Sequence, residues 1–269
     1  MRKCLNLVTM QQGLDPIAGI KAAAAAGFDG VGLWADTLKA YREAHGCLCD
    51  VVAALSDNGL KAEEICYTAG YMWPDDDAAR AAALADAREK AEIAAAVGAP
   101  CVIACASGAA SGCLDAAGAD LRQVAEIGAE FGVAMALEYI GVFPFVKDLK
   151  TGLDIVRRAN HPQAKLLIDI FHSFRGGTSV EDFVLPQGNE VALVHINDVP
   201  AGDIFQMADS DRVMPGDGVL PLKQALASLG ANGYDGALSV EVFSQYWWAQ
   251  PIEETAKAAY RALSSVLEA

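Results

Sequence analysis

Positive charge is in short supply: 20 Lys and Arg face 35 Asp and Glu, a formal net charge of −15. A surface of that sign repels phosphate backbones and anionic head groups, so neither nucleic acid nor a membrane is an expected partner. Histidine is scarce as well, with four in the chain, thin provision for a multinuclear metal site of the abasic-endonuclease kind. No Gly-x-Gly-x-x-Gly follows any predicted strand, so the dinucleotide fingerprint of an open doubly wound sheet is missing. Residues 1–20 lack an apolar core followed by a small-residue cleavage site, so no secretory signal is expected and the expected location is cytoplasmic. The longest uncharged span, 93–114, has about the length of a bilayer crossing. Pro100, Gly98, Gly108 and Gly112 interrupt it, and it reads instead as a helix end, a strand and a loop.

Seven cysteines, an odd number without regular spacing, are expected as reduced thiols in a reducing compartment. Cys47-x-Cys49 is too short for the usual CxxC zinc or redox motif.

What the chain does have is apolar content, 53% of its residues, and a regular alternation. Short β-branched runs are followed by longer Ala-rich, helix-periodic runs, the signature of βαβ units around a parallel sheet. Strands are predicted at 4–8, 30–34, 61–66, 101–104, 133–138, 166–169, 191–195 and 238–242. Helices are predicted at 15–27, 37–58 with a break at Gly46, 76–97, 116–131, 149–159, 222–229 and 251–267. Asp15-Pro16 is an N-cap followed by proline at the first helical position, and Gly27 a stop. Eight such units in 269 residues, with no Pro/Gly/Ser linker, predict a single (β/α)₈ TIM-barrel domain spanning 1–269.

The last strand, Ala237-Leu238-Ser239-Val240-Glu241-Val242-Phe243, ends on a carboxylate that burial penalises unless a partner compensates it. Three other runs end similarly, on Glu138, Asp169 and His195. In such a barrel, chemistry sits on the C-terminal rim. Three carboxylates and one imidazole there suit one divalent metal, manganese (Mn²⁺) first, then Mg²⁺, Co²⁺ or Zn²⁺. A six-coordinate ion would keep positions open for the vicinal oxygens of a hydroxy-ketone, polarising its carbonyl while the neighbouring carbon loses a proton. His172, three residues beyond Asp169, and Arg212, in the turn-rich segment 211–218, are candidates to meet substrate oxygens. Glu64 and Trp34 are expected to line the mouth. Trp34, Trp73, Trp247 and Trp248 could offer apolar faces to a ring.

At Ala136-Leu137-Glu138-Tyr139-Ile140-Gly141, Leu167-Ile168-Asp169-Ile170-Phe171-His172, Val194-His195-Ile196-Asn197-Asp198 and the last strand, the chain resembles the sugar phosphate isomerase/epimerase family of xylose isomerase-like barrels. It is most similar there to the inosose (2-keto-myo-inositol) isomerases of inositol catabolism. The resemblance implies Glu138, Asp169, His195 and Glu241 as metal ligands, with Glu138 and Glu241 also the catalytic acid/base pair, and His172 and Arg212 as substrate-binding residues. It implies a keto-polyol or keto-sugar substrate and makes a homo-oligomer ordinary. The chain departs from the inosose isomerases at Ser173-Phe174, in place of a second histidine, and at Ser244-Gln245, in place of Arg-Pro. The alternatives are a metal-dependent dehydratase or lyase on a related hydroxy-ketone, and a non-catalytic small-molecule-binding barrel. Ile140, where dehydroshikimate dehydratases are expected to carry histidine, favours isomerase. A substrate phosphate is not expected, since no basic cluster follows the last two strands.

Overall fold

A computed structural model describes residues 1–268. Among these residues eight parallel strands close into a barrel in sequence order: β1 (Arg2–Asn6), β2 (Gly30–Trp34), β3 (Lys61–Thr68), β4 (Cys101–Cys105), β5 (Ala134–Glu138), β6 (Ala164–Asp169), β7 (Val191–Ile196) and β8 (Ala237–Val240), with β8 paired back to β1. The helices are α1 (Pro16–Ala26), α2 (Ala35–His45), α3 (Cys49–Asp57), α4 (Asp77–Val97), α5 (Leu114–Glu130), α6 (Leu149–Ala159), α7 (Ile170–Gly176), α8 (Leu222–Ala231), α9 (Gln245–Trp248) and α10 (Ile252–Glu268). This is the expected (β/α)₈ architecture. No helix among the described residues is long and apolar enough to cross a membrane.

Local chemistry sets most boundaries. Asp15, Asp76 and Asp148 each cap a helix by accepting the backbone N–H three residues on, at 2.7–2.9 Å, which satisfies a donor the helix leaves free. Gly27 and Gly98 stop α1 and α4 in the left-handed conformation, which glycine adopts without a Cβ clash.

Three expectations need correction. The first strand ends at Asn6 rather than residue 8, because Leu7–Thr9 forms a turn of 3-10 helix capped by the Asn6 side chain. The predicted helix 37–58 does break at Gly46, which takes a positive φ of 81° and separates α2 from α3. Helix α7 was not anticipated. It follows β6 directly, with Asp169 serving as its N-cap. The cysteines are not all reduced: Cys47 and Cys49 are joined as a disulfide, the turn after α2 bringing their Cα atoms to 5.5 Å, within disulfide range. Cys4, Cys66, Cys101, Cys105 and Cys113 are free.

The strands bury both faces. One face packs on the helices through residues such as Met135, Leu137, Leu166, Ile168, Val194 and Leu238. The other fills the barrel interior with Cys4, Cys66, Cys101, Ile103, Ala134, Ala136, Leu167, Leu193 and Ala237. This two-sided burial is why the strands read as continuous apolar runs. Leu166, fully buried on the helix-facing side, is expected to lose about 2–5 kcal/mol on substitution by alanine. Chemical denaturation of Leu166→Ala checks it, and a midpoint equal to wild type would place the stabilising layer elsewhere.

Candidate active site

Alternation along the strands selects the side chains that face inward. Ala136, Leu167 and Leu193 point into the barrel, so Glu138, Asp169 and His195, two residues further on, point the same way at its C-terminal end. Glu241 follows in step from Ala237. One donor atom from each of the four lies within 4.8 Å of the others, and all four side chains are buried. Glu138, His195 and Glu241 line a cavity of about 510 Å³, together with Trp34, Tyr67, Ile140, Phe143 and Phe243, and Asp169 is fully buried beside them.

Three carboxylates at that spacing repel one another, and positive charge is drawn in against them. Arg212 Nη1 donates to Asp169 Oδ2 at 3.1 Å and to Glu241 Oε2 at 3.0 Å. The guanidinium is held between the rings of Phe171 and Phe243, 4.9 and 5.3 Å from their centroids. Its Nη2 meets His172 Nε2 at 3.1 Å and the half-exposed Asp209. Burial would strip its proton, but Asp169, Asp209 and Glu241 raise its pKa and keep it charged. Burial likewise works to protonate Asp169 and Glu241. The charges of Arg212, His172 and His195 outweigh it for Asp169, and those of His195 and Arg212 for Glu241, leaving both below the ordinary carboxylate range. Glu138 is braced more lightly: the Cys105 thiol donates to it at 3.5 Å. That thiol stays protonated, pushed well up by burial and then by Glu138 itself.

Neighbouring residues fix these groups. Asn197 donates to Asp169 Oδ2 at 3.0 Å and accepts from the Phe171 backbone at 2.9 Å. Asp198 accepts the backbone N–H groups of Val199, Gly216, Gly218 and Leu220 at 2.9–3.1 Å. It thereby cinches the loop that carries Arg212 onto the end of β7, alongside a bridge between Asp198 and Val213.

The donor set fits a divalent cation on one specific observation. His195 Nε2 is bonded to Glu64 Oε2 at 2.6 Å, while Nδ1 is buried without a hydrogen-bond partner. That nitrogen faces Glu241 at 3.2 Å, Glu138 at 3.7 Å and Asp169 at 3.8 Å. Burial would lower the His195 pKa, but Glu241 and Glu64 raise it well above the ordinary value. The ring therefore holds positive charge at the spot where a cation would replace its Nδ1 proton.

The structure thus gathers Glu138, Asp169, His195, His172, Arg212 and Glu241 around one cavity end. His172, in the first turn of α7, and Arg212 are both buried. Two readings change. Glu64 does not line the mouth: it is fully buried behind His195. Of the tryptophans, Trp34 lines the cavity, whereas Trp73 packs on Phe145 and Trp248 donates to the Val8 carbonyl at 2.7 Å. Sequence reasoning passed over Asn6 and Asp209, which carry no pattern before the barrel closes, and read Asp198 only as part of a polar strand end.

Residues 20–266 match the family described as the xylose isomerase-like TIM barrel. The chain belongs to that family. An inosose isomerase of Halalkalibacterium halodurans is 32% identical over 141 residues, 52% of this chain and 50% of that protein. A 3-dehydroshikimate dehydratase of Pseudomonas aeruginosa is 31% identical over 252 residues, 91% of this chain and 38% of that protein. These alignments span half or less of the relatives' own length. A crystal structure of the IolI protein with a bound zinc atom superposes with a TM-score of 0.92, over 100% of this chain and 98% of that one. At 22% identity it shows a shared fold.

Arg212→Leu removes the guanidinium shared by Asp169 and Glu241. It is expected to destabilise the metal-free protein by about 3–5 kcal/mol, the range for breaking a buried ion pair on one side. Urea denaturation reads the change, and a loss below about 1 kcal/mol, within the range of an ordinary point mutant, would mean that His195 alone offsets the carboxylates.

Proposed function

We propose that this chain, one barrel domain over 1–269, is a divalent-metal-dependent isomerase or epimerase that moves a proton between carbons of a keto-polyol or keto-sugar, inosose-like, through an enediolate. The observation that carries the reading is the Nδ1 of His195, buried without a hydrogen-bond partner and facing Glu138, Asp169 and Glu241. Glu138, Asp169, His195 and Glu241 would hold the ion, with manganese the first choice for three oxygen donors and one nitrogen. The zinc in the IolI structure and the isomerase names of the relatives support the same reading. When bound, the cation would polarise the substrate carbonyl and favour loss of the proton beside it.

The chain's own groups would do the rest. Glu241, kept ionised by His195 and Arg212, suits the base that takes the carbon-bound proton. Glu138, to which the Cys105 thiol donates, suits the acid that returns a proton to the other carbon. His172 Nδ1 has no protein partner and suits a substrate oxygen, with Arg212 beside it. Trp34, Tyr67 and Phe243 line the cavity and would offer an apolar wall to ring carbons.

A second reading has its own support in the dehydratase relative, aligned along most of this chain. Such an enzyme would take the same proton and then expel a β-hydroxyl. Its named substrate class carries a carboxylate, and that argues against it here. Among the described cavity-lining residues Arg212 is the one Lys or Arg, and both its Nη atoms are engaged by protein groups. A neutral polyol ketone fits better.

The test is elemental analysis of wild type and Glu241→Ala, followed by proton–deuterium exchange in heavy water with inosose and several ketohexoses. Near one divalent ion per chain, lost in the variant, with exchange beside one ketone's carbonyl is expected. Glu241→Gln is expected to fold and to lose turnover by at least about 10²-fold, the scale of positioned acid–base catalysis. Appearance of an unsaturated product would select the lyase reading. No metal uptake after reconstitution would leave a binding barrel.

A further inference from the structure

We infer that Glu64 is a positioning residue that decides which nitrogen of His195 is offered to the cation, an inference that rests on the metal-centre reading above. Glu64 stands on β3, across the barrel from β7, and is fully buried. Both its oxygens are committed as acceptors. Oε2 meets His195 Nε2 at 2.6 Å. Oε1 accepts from the Ser239 hydroxyl at 2.7 Å and from Asn6 Nδ2 at 3.3 Å.

The direction of the Asn6 bond is set independently. Asn6 Oδ1 accepts from Trp34 Nε1 at 2.9 Å and from the Val8 backbone at 3.2 Å, which leaves the amide NH₂ to donate towards Glu64 and, at 3.1 Å, to Glu241 Oε1. Ser239 and Asn6 both donate to Glu64, so the carboxylate acts as the acceptor in this cluster. The hydrogen shared with His195 therefore sits on Nε2. Nδ1, the nitrogen whose proton a cation would displace, is turned towards Glu138, Asp169 and Glu241. Outer carboxylates that accept from a ligating imidazole fix its tautomer and raise its donor strength.

The barrel also makes room for this carboxylate. Gly32 is the strand partner of Glu64, at a point where the pairing of β2 and β3 shifts register. A Cβ at position 32 would collide with Glu64 Oε1. Gly32 does not adopt a positive φ, so the missing side chain answers to space at Glu64 and not to backbone conformation.

The test uses full-length protein stripped with chelator, comparing wild type, Glu64→Gln and Ser239→Ala. Three quantities are measured: zinc affinity by calorimetry, melting temperature without metal, and the histidine ¹⁵N shifts of the zinc-loaded protein. For wild type, the expected spectrum has Nδ1 of His195 on zinc and Nε2 protonated. Glu64→Gln presents an NH₂ where an acceptor is needed and is expected to weaken zinc binding roughly 10–100-fold, with a displaced Nε2 resonance. Unchanged affinity and unchanged ¹⁵N shifts in Glu64→Gln would overturn the role of Glu64. If Glu64→Gln does not fold, Ser239→Ala decides: a several-fold weaker affinity at an unchanged melting temperature supports the role, and wild-type affinity overturns it. Wild-type protein that takes up neither zinc nor manganese would overturn the metal-centre reading and this inference with it.

Discussion

The structure turns on buried negative charge at one end of the barrel. Glu64, Glu138, Asp169 and Glu241 are all withdrawn from water, and an isolated buried carboxylate is strongly disfavoured. His195 and Arg212 are the cations that make the arrangement tolerable. One imidazole is bonded to Glu64 through Nε2 and faces Glu241 through Nδ1, and one guanidinium nitrogen bridges Asp169 and Glu241. Neither cation has a fixed place without the scaffold behind it. His195 is held by Glu64, and Arg212 by a loop that Asp198 ties to β7.

That organisation separates two kinds of acidic residue. Asp198 is saturated by backbone N–H groups and shapes the chain. Glu138 and Glu241 reach the cavity and have capacity left for a ligand. The same division holds for the cations. Arg2, Arg80 and Arg157 join surface or partly buried pairs, which contribute little to stability in water, whereas Arg212 works where water is excluded and charge acts strongly. The excess of acidic residues over the whole chain is thus a surface property, and the electrostatics of the cavity depend on two histidines and one arginine.

Much of the fold was legible because a parallel barrel buries both faces of each strand, which leaves apolar runs between capped helices. Asp15-Pro16, Gly27 and Gly98 mark helix ends by chemistry that acts within a few residues. The errors lie where two local signals compete. Asn6 ends β1 early because its side chain caps the following turn. Asp169 belongs at once to a strand end and to a helix N-cap, so α7 was hidden inside an apolar stretch. The residues gathered at the cavity stood out where a charged or imidazole side chain interrupts an apolar run at a strand end. Glu64 stood out less, because it lies beside Glu63 in the middle of β3, and the Glu63 carboxylate is paired with Arg2 at 2.8 Å.

The amino-acid sequence by itself determined the number and order of the strand–helix units, the inward step of Glu138, Asp169, His195 and Glu241, and a surface that repels polyanions. These follow from periodicity, capping and charge, all of which act along the chain. Only the tertiary structure decided that Glu64 stands behind His195, that Arg212 is buried between Phe171 and Phe243, and that Gly32 leaves space for a carboxylate. Those relations join residues more than a hundred positions apart in the case of Glu64 and His195. They exist because closing the barrel brings β3 and β7 to face each other across a common interior, a distance that no local pattern encodes.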